Sequence, residues 1–583
     1  MSAYILNDPT PSGSTLRFSA VQPGPGRLYL KLISLDDGSF EEIPFEKKDN
    51  IGTVCNMEVK SRDPRRIGYT FKWKDKEFVD PYALKVSGDE TWGSFNPVGR
   101  PGHYEGPAPR RLSGKKRFSE LVIYQLHVRG FTKHKSSDVK FRGTFEGLTE
   151  KIPYLKELGI NAVELMPAYD FNEIIPVKEP ESQDEAKKEA VLRVKKQKRL
   201  NYWGYTGGNY FVPKNSYSAS GDGASSFVKT VSALHRAGIE VICDFYFEPD
   251  ISSRFIVDVL RHWVQYYGVD GFALFGSFIP ERDILMDPYL SDTRFIFERE
   301  PSPEALSEDS RDRVAVLNKD FMSDNRKFLK SDAGLLGSFS RHLMEEPVSF
   351  SLINYMASFN TLTLNDAVSY DRKHNEENGE GNTDGTDQNY SWNCGVEGVS
   401  RRKAVLTLRE RQVKNAFSYI LLSRGVPRIY MGDEFRNSQK GNNNPYCLDN
   451  TVTWLDWSGL SKNSAIFGFV KELIKLRSEN PVFMHALTSG REKYPETSFH
   501  GEMAWQVSFH DYFRHMGVMY SGKKLYYCAF NTHWQEQKLA LPKPEKKENW
   551  ECILCTCTPD PRYLKEEGYL TVPPRSVIIL RAW

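Results

Sequence analysis

Carboxylates follow two of the strand-like runs in this chain, and they are the side chains best suited to catalysis. Asp244 and Glu248 lie at the end of the run IEVICDFYFE, and Glu298 closes the run RFIFE. Carboxyl groups held at neighbouring strand ends can act as general acid, general base or nucleophile. Whether two of them meet depends on the elements that carry them.

A second candidate is the cysteine cluster CILCTC, which places Cys552, Cys555 and Cys557 in a C-x-x-C-x-C pattern. Such spacing can serve metal binding or redox chemistry, but a second ligand pair is missing and the segment is strand-like. We interpret the three residues as ordinary strand cysteines, and we expect no metal and no cofactor. The eight cysteines of the chain are spread thinly, which fits a reducing compartment better than a disulfide scaffold.

The composition argues against several classes of function. The 583 residues include 78 Lys and Arg against 76 Asp and Glu, a formal charge of +2, so no global field favours nucleic acid or an anionic membrane. No run approaches the roughly 18 apolar residues of a membrane helix. The start, MSAYILNDPT, has neither the basic nor the apolar region of a secretory signal. The length predicts roughly two to four domains.

Buried-type strands alternate with helix-like stretches, such as SSFVKTVSALHRAG, through the middle of the chain. This alternation predicts a parallel sheet, and eight repeats predict a (β/α)₈ TIM barrel over residues 117–457. The chain between strands four and five is short and leaves scant room for the usual helix. The eight strand segments are LVIYQLHV (121–128), INAVELMP (160–167), IEVICDFY (239–246), GFALF (271–275), RFIFE (294–298), VAVL (314–317), SLINYM (351–356) and RIYMGDE (428–434).

Shorter strand-like runs with Gly and Pro between them flank the barrel on both sides. They predict a multidomain fold with an N-terminal β-sandwich, similar to a carbohydrate-binding module, over residues 1–94. A Pro/Gly/Arg-rich linker is expected at 95–116, and a helix followed by an antiparallel β-domain at 458–583. The low-complexity segment 178–199 predicts a solvated helix in a barrel loop.

Several stretches together resemble the isoamylase-type debranching enzymes of the α-amylase superfamily. They are YQLHVRGFT, NYWGY, KHNEENGEGNTDGTDQNYSWNCGVEG, GVPRIYMGDE and QKGNNNPYCLDN with WLDW. The resemblance implies a barrel whose site lies at the carboxyl ends of the strands and acts on α-1,6 branch points of α-glucans. The implied chemistry is retaining, with one carboxylate attacking the anomeric carbon and a second donating a proton to the leaving oxygen.

The third and fourth strands depart from the family pattern. Where the family has D-V-V-F-N-H, this chain keeps Asp244, but Asn becomes Glu248 and the sugar-contacting His becomes Pro249. Where the family has V-D-G-F-R-F-D, the Arg is Ala273 and the nucleophilic Asp is Phe275. A phenyl ring cannot attack an anomeric carbon, so the resemblance implies that the nucleophile is missing.

The fifth strand keeps one family residue, whereas the end of the seventh strand departs from the family pattern. The register places Glu298 on the family's acid, whereas the His-Asp pair after strand seven is Phe359-Asn360. Tyr205, in NYWGY, takes the position of a sugar-stacking ring, and Trp203 beside it is a second substrate-binding candidate. Motifs that build the fold are kept, whereas groups that bind or attack the sugar in the family are exchanged. This contrast indicates a barrel kept for shape and binding.

This pattern resembles the non-catalytic isoamylase subunits of plants and green algae. The resemblance implies a hetero-oligomer with an active isoamylase, binding to amylopectin and residence in the plastid stroma. Two alternatives stay open. The chain could be a stand-alone α-glucan-binding protein without an enzyme partner. It could also be an active α-1,6-glucosidase that uses Glu298 with Glu248 or Asp244, although retaining hydrolysis needs two carboxyls about 5–5.5 Å apart.

Overall fold

A computed structural model describes residues 4–5, 14–61, 63–102, 104–175, 200–487, 491, 493–545, 548–557 and 568–583. The solvated helix predicted for the low-complexity segment 178–199 lies outside the described residues. In the described part of the chain, no helix has the length and apolar character needed to cross a lipid bilayer.

A closed barrel of eight parallel strands, hydrogen-bonded in chain order, occupies the centre of the molecule. The predicted multidomain fold with a TIM barrel is confirmed. Seven of the predicted strand segments contain a barrel strand, and the eighth, 428–434, overlaps the strand Val426–Tyr430 at residues 428–430. The strands are buried except at Tyr246, because helices or neighbouring strands cover them. The strands are Ile123–Leu126, Ala162–Leu165, Glu240–Tyr246, Gly271–Phe275, Arg294–Phe297, Val314–Leu317, Ser351–Asn354 and Val426–Tyr430.

Helices cover the outside of the barrel, and side-chain caps begin several of them. Asp222 accepts a hydrogen bond from the Ser225 N–H at the start of one helix, and Asn318 accepts from the Phe321 N–H at another. Such caps satisfy backbone donors that a helix start leaves free. The helices are Val128–Lys133, Phe145–Glu150, Ile152–Leu158, Gly223–Arg236, Ser253–His262, Glu281–Leu285, Lys319–Lys330, Leu336–Met344, Leu364–Ala367, Lys403–Leu422, Ser458–Lys462 and Ser464–Glu479.

The helical layer is thin beside strands four to six. Strand four is followed by the five-residue helix Glu281–Leu285 and a 3₁₀ turn, Pro288–Leu290. Strand five is followed only by the 3₁₀ turns Pro303–Ala305 and Glu308–Asp312. The short connection between strands four and five therefore carries a reduced helix, and the connection after strand five is reduced in the same way.

The helix Ser464–Glu479 follows the predicted domain boundary at 458, yet it packs with the barrel helices. It packs against Ile152–Leu158 and Lys403–Leu422, the helices beside the first and last barrel strands. Its apolar side chains, including Phe469 and Leu473, are buried in the same core as the barrel. This helix therefore completes the barrel layer, because its apolar face covers the junction between strands eight and one.

The N-terminal region contains two sheets around a core of its own. One sheet joins Tyr4–Ile5, Ser14–Val21 and Val54–Ser61. The linker predicted at 95–116 is shorter than expected, because Val98–Gly99 pairs with Tyr69 and Val86–Ser87. The second sheet contains Leu28–Ser34, Phe40–Pro44, Ile67–Trp73, Lys76–Phe78, Val86–Ser87 and Val98–Gly99.

The C-terminal region is antiparallel, as predicted. The apolar end of the chain forms Ser576–Ala582, which pairs with Leu525–Asn531 on one side and Trp550–Cys555 on the other. This strand is an inner strand of the sheet, so its apolar side chains serve the core. The remaining strands are Thr497–His500, His515–Ser521, Gln537–Ala540 and Tyr569–Val572.

Candidate functional site

Four aromatic side chains close the mouth of the barrel where strands three, four and seven end. We call Trp203, Tyr205, Phe275 and Phe359 the aromatic layer. Tyr205 stacks on Phe359 with ring centroids 4.5 Å apart and 19° between the planes, and Phe275 meets Tyr205 edge-on at 5.2 Å. Trp203 meets Phe359 edge-on at 5.0 Å. The four rings therefore pack mainly against one another.

The backbone around strand four fixes the position of Phe275. Asp270, before the strand, accepts hydrogen bonds from the Val241 N–H (2.8 Å) and from His235 Nε2 (2.7 Å). After the strand, Gly276 has φ +132°, and a Cβ atom there would lie 2.4 Å from the Phe247 carbonyl oxygen. Only glycine fits this turn without strain. Phe275 is 8% exposed as a result.

Asp244 lies beneath the aromatic layer and is fully buried. The Tyr205 hydroxyl donates to its Oδ2 at 2.6 Å, whereas its Oδ1 has no hydrogen-bond partner among the described residues. In the strand register its neighbour is Ala273, which the sequence resemblance places at the position of an Arg, so this neighbour supplies no cation. Burial and the nearby charge of Glu164 raise the pKa of Asp244 well above its ordinary value.

A buried polar network, made of Gln125, Glu164, Ser358 and Arg428, lies inside the barrel. Glu164 Oε1 accepts from Gln125 Nε2 at 2.6 Å and from Arg428 Nη1 at 2.9 Å. Arg428 also donates to Ser358 Oγ at 3.2 Å. Burial raises the pKa of Glu164, and the Arg428 guanidinium opposes that rise.

This polar network was not predicted from the sequence. The available signal was a single polar residue inside each apolar strand run: Gln125 in IYQL, Glu164 in AVEL and Arg428 in VPRIY. Polar groups in fully buried strands are costly unless they bond one another. Their spacing in the sequence predicts that such a network exists, but not which partners it joins.

The remaining candidate carboxylates have separate partners. Glu298 is partly buried, and its Oε1 lies 3.6 Å from Lys319 Nζ. Glu248 is exposed, accepts the Gly207 N–H at 3.0 Å and lines an open cleft of about 580 Å³ with Asn172 and Asn209. Each of the three candidates thus has its own contacts: Asp244 with Tyr205, Glu248 with a backbone N–H, and Glu298 with a lysine.

Pro249 and Asn360, two further positions at which the sequence predicts an exchange of family residues, are exposed. His127, at the end of strand one, is buried; it accepts from the Gly130 N–H at 3.0 Å, and its Nε2 lies 2.8 Å from the Tyr202 carbonyl oxygen. Burial lowers the pKa of His127 to about 4, so the imidazole is neutral at pH 7. Its contacts position the strand-one loop.

The described residues contain no group of three or more His, Cys, Asp or Glu side chains placed to hold an ion. Cys552 and Cys555 lie in the edge strand Trp550–Cys555, and Cys557 follows it two residues later. The cluster thus lies in or directly after a strand, as its sequence indicates.

Curated relatives of this chain are debranching proteins. Isoamylase 3, chloroplastic, of Oryza sativa subsp. japonica is 30% identical over an alignment of 609 positions including gaps, which covers 86% of this chain and 74% of the rice protein. Isoamylase 1, chloroplastic, of Arabidopsis thaliana is 29% identical, with 96% of this chain and 86% of that protein covered. No protein-family model matches the chain.

Solved structures agree on the architecture. The Group B Streptococcus pullulanase SAP in complex with maltotetraose superposes with a TM-score of 0.73 and covers 100% of this chain and 87% of its own. Sequence identity to that structure is 17%, so the likeness is one of fold.

Proposed function

Since the chain belongs to the isoamylase-type debranching family of the α-amylase superfamily, we propose that it is a non-catalytic member of that family. In this proposal it binds α-glucan and acts with an active isoamylase in α-1,6 debranching of pre-amylopectin during starch biosynthesis. The relatives named chloroplastic support residence in the plastid stroma.

One observation carries the proposal: the strand-four position of the family nucleophile holds Phe275, packed within an aromatic layer. Phe275 contacts Tyr205, whose ring face is covered by Phe359. A retaining hydrolase needs a nucleophile at the anomeric carbon and a proton donor across the bond. A phenyl ring offers no lone pair for that attack, and the surrounding rings occupy the space in which a sugar would lie.

The alternative that the chain hydrolyses α-1,6 bonds with carboxylates at other positions has less support. Asp244 is buried below the rings, and its raised pKa favours the protonated form, which is a poor nucleophile. Glu298 sits beside Lys319, and Glu248 is exposed and bonded to the Gly207 N–H. No contact of either glutamate joins it to the other. Removing the nucleophile from a cooperating catalytic set can cost about 10⁶ in turnover.

Rings away from the barrel mouth can supply the glucan contact. Trp534 and Tyr512 in the C-terminal region are 58% and 66% exposed. Both lie beside Arg514, whose guanidinium is 5.7 Å from the Trp534 ring and donates to the Tyr512 carbonyl oxygen at 2.8 Å. Exposed rings next to a hydrogen-bond donor suit the apolar faces and hydroxyl edges of glucose units. In this proposal Trp534 and Tyr512 stack on the sugar in place of Tyr205 and Trp203, which pack against Phe359.

The thin part of the helical layer can supply a partner surface. Phe278, Met286 and Tyr289 are 69%, 66% and 63% exposed on the connection between strands four and five. Large exposed apolar side chains grouped on one segment often mark a contact with another protein. The buried inner strand Ser576–Ala582 is less suited to that role, because both of its edges are already paired.

The test is an assay of the purified chain on amylopectin, alone and mixed with an active isoamylase, together with size exclusion and light scattering. We expect no reducing ends from the chain alone, and a new complex with altered debranching in the mixture. The triple variant Phe278→Ser/Met286→Ser/Tyr289→Ser should lose the complex. Val348→Ser/Val399→Ser, at residues 77% and 90% exposed elsewhere, is the matched control.

The outcomes separate the three functions. Turnover by the chain alone would contradict the non-catalytic proposal and favour relocated carboxylates. Strictly additive elution profiles, together with retardation in native gels containing amylopectin, would favour a stand-alone glucan-binding protein. Equal mobility with and without amylopectin would count against glucan binding in any form.

A further inference from the structure

A basic cleft opens beside the loop that follows barrel strand one. Its volume is about 570 Å³, and no carboxylate is among its lining residues. Lys133 is partly buried, whereas Lys135, Lys140 and Arg142 are exposed. Within the described part of the chain, none of these four side chains has an ion-pair partner within 4.0 Å. The lining residues are Lys133, His134, Lys135, Lys140, Arg142, Thr451 and Trp454.

The acidic residues around the cleft have other partners. Arg129 donates to both carboxylate oxygens of Asp449 at 2.9 and 2.8 Å. Asp456 accepts from the Ser136 hydroxyl at 2.8 Å, and Glu150 accepts backbone N–H groups at 3.1 Å. In the described part of the chain no carboxylate thus lies within ion-pair distance of the four cations, whereas Asp456 Oδ1 lies 3.6 Å from Nδ1 of His134, which also lines the cleft.

The cations also disfavour one another. Burial lowers the pKa of Lys133, and the charges of Arg129 and Arg142 lower it further, while Asp449 partly opposes them. Like charges held close together without counter-ions are destabilising, and an anion between them removes that cost. A bound anion carrying two negative charges would suit this arrangement better than a single carboxylate.

One wall of the cleft is aromatic. Trp454 Nε1 donates to Asp449 Oδ1 at 2.7 Å, which fixes the edge of the indole while the residue lines the cleft. An indole beside several cations can stack on a sugar ring while the cations bind a phosphate. Lys and Arg both bind phosphate oxygens through charge-assisted hydrogen bonds.

We propose that this basic cleft binds a phosphate monoester carried by a glucose unit. Lys133, Arg142 and their neighbours bind the phosphate, and Trp454 contacts the sugar. The ester can belong to a free sugar phosphate or to a phosphorylated α-glucan. The second source rests on the proposed glucan-binding function, whereas the first does not.

Calorimetric titration of the full chain with glucose 6-phosphate, inorganic phosphate and glucose tests the chemistry. We expect glucose 6-phosphate to bind more tightly than inorganic phosphate, glucose to show no binding, and affinity to fall as NaCl is added. Lys133→Gln/Arg142→Gln should weaken glucose 6-phosphate binding by roughly tenfold per cation. Lys229→Gln/Arg236→Gln, an equal charge change at exposed residues of another barrel helix, should leave it unchanged.

Native gels that contain phosphorylated amylopectin, or the same polymer after phosphatase treatment, distinguish the sources. Stronger retardation by the phosphorylated polymer, lost in Lys133→Gln/Arg142→Gln, identifies the glucan as ligand. Equal retardation with retained binding of glucose 6-phosphate identifies the free sugar phosphate. No retardation by either polymer, with glucose 6-phosphate still bound, contradicts glucan binding but not the cleft.

Three results would overturn the proposal. The first is the absence of glucose 6-phosphate binding. The second is inorganic phosphate binding as tightly as the sugar phosphate, which removes the role of Trp454. The third is equal weakening by the control pair Lys229→Gln/Arg236→Gln, which assigns the effect to net charge.

Discussion

The aromatic layer and the polar network lie one above the other in the same barrel, and their chemistry is opposite. In the network, Glu164 and Arg428 are fully buried and bonded to each other at 2.9 Å. In the layer, Phe275 and Phe359 both pack against the Tyr205 ring, and their own ring centroids are 6.2 Å apart. Asp244 lies between the two regions and has a partner on one side only.

The difference indicates what each region is for. Charges that bond one another inside a barrel are part of its structure, and losing one of them strands the other. Charges at a barrel mouth serve a ligand, and they can be exchanged for rings without loss of fold if the rings fill the space. Under the proposed non-catalytic function, the layer reflects a changed use of the mouth, whereas the network reflects the demands of folding.

The strongest test of the network is Arg428→Leu. The variant leaves Glu164 buried without a cation and removes the guanidinium from the Tyr355 ring, 4.4 Å away. Breaking a buried ion pair by removing one partner costs about 3 to 5 kcal/mol. We expect a large fall in the melting temperature, which is measured by circular dichroism during heating.

The control for this prediction removes both charges. Arg428→Leu/Glu164→Gln keeps an acceptor for Gln125 and should recover at least half of the lost stability, because no unpaired charge remains. If the double variant is as unstable as Arg428→Leu alone, the loss comes from packing, and the network is not the structural feature that we describe.

A second test acts on the aromatic layer through Phe275→Asp. The change places a carboxylate among rings and next to Tyr205, whose hydroxyl already bonds the buried Asp244. Loss of ring packing, together with burial of an unpaired charge, should destabilise the chain by about 3 kcal/mol or more. We expect no hydrolysis of amylopectin, because Ala273, Phe359 and Asn360 remain.

Phe275→Leu is the matched control, since it keeps an apolar side chain and should cost less than about 1.5 kcal/mol. Release of reducing ends by Phe275→Asp above the level of Phe275→Leu would contradict the prediction. Such a result would show that the mouth still grips a sugar ring and that the layer opens for it.

The barrel could be predicted from the sequence because its signals are local. The run GFALF is bounded by Asp-Gly and Gly-Ser, and the strand Gly271–Phe275 has the predicted limits. The strand Val98–Gly99 could not be predicted, since two residues within a Pro/Gly-rich stretch carry no periodic pattern. The place of the helix Ser464–Glu479 was also missed, because amphipathicity shows that a helix packs but not against which layer.

The site was only partly predictable for the same reason. The register of one strand was enough to predict exchanges at Ala273 and Phe275, and these stay predictions. The contact between Tyr205 and Phe359 joins segments more than 150 residues apart, as the chain numbering shows, so no local pattern reveals it. That contact decides whether a ring at the mouth is free to stack on a sugar.

The smallest expected effect concerns Asp244, where the two regions meet. Because its folded pKa is raised above the ordinary 3.8, the folded chain holds the proton more tightly than the unfolded chain. The stability linked to this proton is present below pH 3.8 and is lost as the pH rises through the raised value. Asp244→Asn keeps an acceptor for the Tyr205 hydroxyl and does not titrate.

The variant should therefore be more stable than the natural chain by about 1 kcal/mol at pH 8, and the gain should shrink as the pH approaches 4. Melting temperatures of the variant and the natural chain across this pH range measure their difference in stability. The other buried carboxyls are present in both chains, so their contributions to that difference largely cancel. Asp250→Asn, at an exposed aspartate near the same strand, should show no such trend. A gain for Asp244→Asn that is independent of pH would mean that Asp244 keeps its charge in the folded chain. The mouth would then hold a usable carboxylate after all, and the contrast between the layer and the network would be weaker than the contacts indicate.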